Sequence, residues 1–197
     1  VYLDTPGFGE TGRGNTAALW VDNTLNLILD LAGSIDAVMV VIDYQSMRTA
    51  RAQAFKELIK SLSVFLNGSQ FFYDSMFFVM NRSMIYNHSK GKMEQVSVSD
   101  IIAQAESLQS ISKDELDELT KPFKNILGKI DKEIPGEIIK KIEDCDNLIR
   151  LLTQMIGHPE KIVFMNPTDK GESNKNILET IKTCPIISKQ KLKGVME

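Results

Sequence analysis

The sequence has few of the residues that build disulfide frameworks and metal centres. It has two cysteines in 197 residues, Cys145 and Cys184, far apart and without a CxxC motif. We expect both to be buried, reduced thiols, as in a cytoplasmic protein, because a disulfide framework needs several paired cysteines. The two histidines, His88 and His158, have no partners at the spacing of a zinc site. The sequence therefore predicts neither a disulfide scaffold nor a zinc centre.

Long apolar runs and an excess of positive charge are absent as well. No run approaches the ~20 residues of a membrane span, and no signal peptide is recognisable. The net charge of −3 gives no electrostatic basis for binding nucleic acid or an anionic membrane. Lysines form one mild cluster, in the tail SKQKLKG. With 43% hydrophobic residues, the chain has the composition and length of one globular domain.

Apolar runs alternate with helical patterns along the chain. Four apolar runs are predicted to be strands: VYLD, DAVMVVIDY, SMFFVMN and KIVFMN. Three helical patterns follow the first, second and fourth of them: TAALWVDNTLNLILDLAG, RTARAQAFKELIKSLSVFL and SNKNILETIKT. Continuous apolar strands are typical of a sheet buried on both faces. This order predicts an α/β fold with an open parallel sheet and helices on its faces.

A helical region interrupts this alternation. From about residue 87 to residue 159 the sequence shows three helical patterns and no strand signal. The first begins at Ser99 or Asp100, the second is kinked or broken at Pro122, and the third begins at Pro135 and Gly136. We therefore predict a core domain of residues 1–86 and 160–197, with residues 87–159 as a helical insertion.

The stretch VYLDTPGFGETGRG contains two overlapping phosphate-binding patterns. Gly7, Gly9 and Gly12 spell GxGxxG, the turn that approaches a pyrophosphate in dinucleotide-binding domains. Asp4 to Gly7 spell DxxG, in which the carboxylate holds a water on Mg²⁺ and the glycine N–H reaches a γ-phosphate. A strand followed by an ordinary Pro–Gly turn is the third interpretation.

The rest of the chain favours DxxG over the dinucleotide turn. A dinucleotide site needs an acidic residue about 20 positions after the glycines, at the end of the next strand. Here the next predicted strand ends at Asp43, which is 36 positions after Gly7. Pro6 also stands before the first glycine, where the strand should lead directly into the turn. A dinucleotide-binding oxidoreductase domain therefore remains only an alternative.

The segment LDTPGFGE resembles the switch loop of septin-type GTPases and of their relatives, the immunity-associated and chloroplast import-receptor GTPases. The resemblance continues, in order and character, through VMVVIDYQSMRTARAQAFKELIKSL, MFFVMNR and IVFMNPTDKGESNKNILETI. It covers all but the helical insertion. It implies a P-loop NTPase-like sheet, binding of GTP and GDP with Mg²⁺, and association into a homodimer or with a protein partner.

The resemblance implies roles for the residues of the first loop. Asp4 would orient Mg²⁺ through a water molecule, and Thr5 and Gly7 would belong to the loop that senses the γ-phosphate. Phe8 stands where Ras-like enzymes have a glutamine that orients the attacking water. An apolar side chain cannot position that water, so we expect hydrolysis to be slow or assisted by a partner.

The resemblance also implies a base pocket. Asn81 and Arg82 fall where the N/T-K-x-D motif follows the fifth strand of the family, and Asn166 falls in the later loop that completes the pocket. Arg82 replaces the lysine of this motif, and Met84 replaces the aspartate that accepts hydrogen bonds from guanine. We therefore expect a weaker preference for guanine than in proteins with the full motif.

One family motif is missing. No G-x-x-x-x-G-K-[ST] occurs, and GFGETGRG has Arg13 and Gly14 where lysine and serine or threonine belong. In the family this loop and its strand precede the DTPG strand, so we expect them upstream of Val1 and interpret the chain as an N-terminally truncated G domain. A GTP-binding switch domain is the favoured function, and a degenerate, nucleotide-free interaction module is the other alternative.

Overall fold

The computed structural model describes residues 33–48, 52, 55–59, 62, 70–124, 135–166 and 171–191. Its strands are β1 (Ser34–Ile35), β2 (Val38–Asp43), β3 (Met76–Asn81), β4 (Met84–Asn87), β5 (Lys92–Gln95), β6 (Ile162–Phe164) and β7 (Ile187–Ser188). Its helices are α1 (Tyr44–Arg48), α2 (Gln70–Asp74), α3 (Val98–Lys124), α4 (Gly136–Gly157) and α5 (Glu172–Thr183). Residues 55–59 are also helical, and residues 159–161 form a 3₁₀ turn.

A three-stranded parallel sheet in the order β2-β3-β6 lies at the centre of the described structure. These strands are the predicted runs DAVMVVIDY, SMFFVMN and KIVFMN, and their parallel pairing is confirmed. The register joins Asp43 to Asn81 and Met80 to Phe164. The short strands β1 and β7 pair antiparallel with each other outside this sheet. The fold class is therefore α/β, with helices flanking a parallel sheet.

The helices pack on opposite faces of the sheet. On one face α3 and α4 cover a large apolar cluster that includes Ile42, Phe78 and Ile162. On the other face α5 packs against Phe77 and Val79 of β3 and against β6. The first five residues of β3 are consequently buried, as the sequence predicts for a strand covered on both sides.

The prediction that the strands are buried on both faces is wrong for β2, because one of its faces is exposed. Met39 and Val41 are 47% and 45% exposed, whereas Val40 and Ile42 on the other face are buried. The register places Met39 beside Phe77, on the face of the sheet that carries α5. Because α5 lies over β3 and β6, no described helix covers these two side chains.

The helical region differs from its prediction in two respects. The first two predicted helices form one continuous helix, α3, which includes Pro122. Pro122 lies in the last turn of α3, where its missing N–H removes a hydrogen bond close to the helix end. The packing of α3 along α4 supports the rest of the helix. The predicted start of the third helix at Pro135 and Gly136 is confirmed by α4.

The expectation that no strand occurs in this region is also wrong, because β4 and β5 form an antiparallel hairpin. Its turn is built by the side chain of Asn87, whose Oδ1 accepts the backbone N–H groups of Ser89 and Lys90 at 3.1 and 3.2 Å. Gly91 supplies a positive φ of 64°. The hairpin therefore rests on turn chemistry rather than on an apolar run.

A capping box begins helix α3, earlier than the predicted Ser99 or Asp100. The Ser97 Oγ accepts the backbone N–H of Asp100 at 3.1 Å, and Asp100 Oδ2 accepts the backbone N–H of Ser97 at 3.0 Å. The Ser97 hydroxyl also donates to Asp100 Oδ2 at 2.7 Å, and the hydrogen bonds from this hydroxyl and from the Ser97 backbone N–H to the carboxylate lower the pKa of Asp100. The first turn of α3 is thus fixed by reciprocal bonds between two neighbouring side chains and backbones.

We predict that Ser97→Ala lowers the free energy of unfolding by about 1 kcal/mol, the usual value of a serine N-cap. The pKa of Asp100 should rise toward its ordinary value, because its hydroxyl partner is gone. Since folding lowers this pKa, the stabilisation is present above the unfolded-state pKa and is lost as pH falls through the folded-state pKa. Urea unfolding and an NMR titration of Asp100 measure the two effects. Ser110→Ala, at an exposed position of α3, is the control, and equal losses in both variants would contradict the cap.

Candidate functional site

The ends of the three parallel strands bring polar residues to one edge of the sheet. Asp43 and Asn81 are register partners and the last residues of β2 and β3. The backbone N–H of Met165 donates to the carbonyl oxygen of Met80 at 2.9 Å, so Asn166 follows at the neighbouring strand end. Ligands of open parallel sheets bind in the crevice outside these carboxyl ends. We call the residues Asp43, Asn81, Arg82 and Asn166 the carboxyl-end cluster.

An ion pair crosses the ends of β2 and β3. Arg82 Nη2 lies 2.8 Å from Asp43 Oδ2, and Asp43 Oδ1 accepts the backbone N–H of Gln45 at 3.0 Å. The Gln45 side chain donates in turn to the carbonyl oxygen of Arg82 at 3.4 Å. The charge of Arg82 is therefore balanced within the protein, although 71% of its side chain is exposed.

The backbone of Arg82 adopts a left-handed conformation, with φ at 49°. Asn81 Oδ1 accepts the N–H of Arg82 at 2.8 Å and supports this turn. The carboxamide oxygen of Asn81 is thus engaged, while its NH₂ group has no hydrogen-bond partner in the part of the chain that the structure describes. That group is a donor at the sheet edge, suited to an acceptor such as a purine ring nitrogen or carbonyl.

Met84 lies in the hairpin that follows the carboxyl-end cluster. It begins β4, is 40% exposed and stands opposite Gln95 of β5. The carboxamide of Gln95 donates to Ser83 Oγ at 3.3 Å. The residue that the resemblance aligns with the aspartate of the motif is therefore an exposed thioether.

Asn166 lies at the same edge, two residues after the end of β6. Its backbone N–H donates to Ser173 Oγ at 2.9 Å, which ties the end of β6 to the first turn of α5. Gly171 precedes α5 with φ at 100°, a conformation that glycine adopts without strain. Residues 167–170 between them lie outside the described part of the chain.

The structure describes only the base half of the predicted nucleotide site. Asp4, Thr5 and Gly7, predicted to contact phosphate and Mg²⁺, lie outside the described residues. Within the described ranges no group of three or more His, Cys, Asp or Glu side chains has a geometry that could hold a metal ion. None of the described helices combines the length and apolarity needed to cross a membrane.

The sequence predicts Asp43 at the carboxyl end of a strand and Arg82 in the base pocket, but it does not predict the ion pair between them. The sequence contains a signal for this contact, because Asp43 ends β2, Arg82 directly follows β3, and these adjacent parallel strands have equal length. Register alone brings such residues together.

No family model, curated protein or solved structure matches this chain. The fold is therefore defined by its own geometry, an α/β arrangement with a three-stranded parallel sheet and flanking helices. The likeness to septin-related GTPases rests on the sequence segments quoted above.

We predict that Arg82→Gly is more stable than Arg82→Ala by about 1 kcal/mol. Both variants remove the ion pair with Asp43, but only glycine adopts a positive φ without steric cost. Urea unfolding of the two variants measures the difference directly. If the alanine variant is as stable as the glycine variant, Arg82 does not have the left-handed backbone described here.

Proposed function

We propose that the carboxyl-end cluster is the base-binding half of a nucleoside triphosphate site, and that the protein is a septin-related, P-loop NTPase-like G domain. It binds GTP and GDP with Mg²⁺ and acts as a switch with slow or partner-assisted hydrolysis. The observation that supports this most is the order of the sheet. Three strands that are neighbours in this sheet and occur in the same order along the chain, β2, β3 and β6, end beside one another, with Asn81–Arg82 and Asn166 at or just beyond their ends.

The base would be held by residues at the ends of β3 and β6. The NH₂ group of Asn81 donates to a purine acceptor, and its fixed carboxamide oxygen keeps that donor in place. The Arg82 side chain is held over the end of β2 by Asp43, so its planar guanidinium presents a stacking surface with its charge already neutralised. Asn166, whose backbone N–H donates to Ser173, closes the other side of the pocket.

The phosphates would be held by residues outside the described ranges. Asp4 and Thr5 offer a carboxylate and a hydroxyl, the oxygen ligands that Mg²⁺ prefers, directly or through water. Mg²⁺ neutralises phosphate charge when bound. Gly7 leaves room for a phosphate oxygen at its backbone N–H, since a Cβ would block that approach.

A nucleotide-free interaction module is the second candidate function. Two features of the site favour it: Arg82 is already paired with Asp43, and Met84 offers no acceptor to a guanine ring. Isothermal titration calorimetry with Mg²⁺ and GTP separates the two functions. It is performed on the 197-residue chain and on any longer chain that the gene encodes upstream of Val1. If none of these chains binds GTP or GDP, the nucleotide-free interaction module is the candidate function that remains.

We predict that Met84→Asp increases the preference of the protein for GTP over ATP by about 10-fold or more. The new carboxylate would accept hydrogen bonds from the guanine N–H groups, and a hydrogen bond to a charged acceptor contributes about 1.5–3 kcal/mol. Competition between the two nucleotides, measured by calorimetry in the presence of Mg²⁺, gives the ratio.

Met93→Asp is the matched control for Met84→Asp. Met93 is also an exposed methionine of the hairpin, opposite Tyr86, and the substitution changes the net charge equally. The preference should not change in this variant. Equal effects of both substitutions would mean that charge alone acts, and a native preference for GTP of several thousand-fold would show that Met84 does not occupy the aspartate position.

A further inference from the structure

A groove of about 590 Å³ runs along the side of β6 that faces away from β3. Its walls are β6, Asn166, one face of α5, and single residues of β5 and of the 3₁₀ turn before β6. The residues that line it are Gln95, Glu160, Ile162, Val163, Phe164, Asn166, Glu172, Ser173, Asn176, Glu179, Thr180 and Thr183. This groove is separate from the carboxyl-end cluster except for Asn166.

The backbone of β6 offers hydrogen-bonding groups to this groove. The backbone N–H of Met165 donates to the carbonyl oxygen of Met80 in β3. In a parallel ladder the backbone groups of Val163 and Met165 therefore point toward β3, and those of Ile162 and Phe164 point away from it. The N–H of Ile162 donates a hydrogen bond to the carbonyl oxygen of Pro159. The N–H and carbonyl of Phe164 and the carbonyl of Ile162 have no partner in the described residues. Within the described residues they form a strand edge without a neighbouring strand, of the kind that accepts another strand.

The wall formed by α5 is polar and acidic. Ile177 and Cys184 pack against the sheet. The residues of α5 that line the groove recur every three or four positions, on the helix face next to the one that carries Ile177. Glu172 and Glu179 are exposed, and neither has a cationic partner among the described residues. The lining includes a third carboxylate, Glu160, and no lysine, arginine or histidine.

We propose that this groove binds an extended, basic segment of a partner protein, which adds a strand to the free edge of β6. Backbone hydrogen bonds would come from Phe164 and Ile162, and charge complementarity from Glu172 and Glu179. These glutamates are seven positions apart, or about 10 Å along the helix. Alternate residues of a strand point to one face about 7 Å apart, so lysines or arginines at every second position reach both carboxylates. The partner segment therefore carries alternating basic residues.

The probe is a fluorescein-labelled, acetylated and amidated heptapeptide of sequence KTKTKTK, and binding to the full 197-residue chain is followed by fluorescence anisotropy. In the double variant Glu172→Gln/Glu179→Gln, we expect the Kd to rise at least 10-fold. Glu106→Gln/Glu118→Gln, at exposed positions of α3, changes the net charge equally and should change the Kd less than twofold. The same peptide with N-methyl groups on alternate residues should also bind at least 10-fold more weakly.

Four results would overturn the proposal. Equal weakening in both double variants would show unspecific attraction between charges, and unchanged binding of the N-methylated peptide would exclude strand addition. An increase of at least fivefold in the affinity for the probe after removal of residues 189–197 would assign the groove to the lysine-rich tail of the chain itself. Self-association in sedimentation velocity that is lost in Glu172→Gln/Glu179→Gln would assign it to a second copy.

Discussion

Parallel backbone pairing of β2, β3 and β6 is the constraint on which the rest of the described structure depends. The continuous apolar runs bury β3 between α5 on one face and α3 and α4 on the other. Once these strands are aligned, their polar ends must meet at one edge, because parallel strands point the same way. The contact of Asp43 with Arg82 and the proximity of Asn81 to Asn166 both follow from this register.

The short strand β6 joins the two surfaces to which we assign functions. Its carboxyl end leads to Asn166 and the carboxyl-end cluster, and its outer edge forms the base of the acidic groove beside α5. The hydrogen bond from Asn166 to Ser173 ties both together, because Ser173 also lines that groove. A strand added to β6 would therefore lie next to Asn166, which completes the proposed base pocket.

Much of this fold could be predicted from the sequence, for physical reasons that also explain the errors. The strands of the sheet and helices α4 and α5 have strong apolar periodicity or clear end signals such as Pro135. The hairpin of β4 and β5 depends on side-chain bonds of Asn87, and of its apolar residues only Ile85 packs against the core, so the sequence has no apolar run there that predicts strands. The continuity of α3 through Pro122 depends on packing against α4, which a local pattern does not contain.

For the candidate site, the sequence predicts which residues lie at the sheet edge but not the contacts that they make. Position after a strand end was enough to select Asn81, Arg82 and Asn166, but the ion pair of Arg82 and its positive φ come from register and turn geometry. Amide NMR of the ¹⁵N-labelled chain, titrated with Mg²⁺ and GTP, tests whether a purine nucleotide binds at the carboxyl-end cluster. We expect shifts at the backbone of Arg82 and Asn166 and at the Asn81 side-chain NH₂. Saturating shifts confined to other residues, with these three signals unmoved, would contradict this expectation.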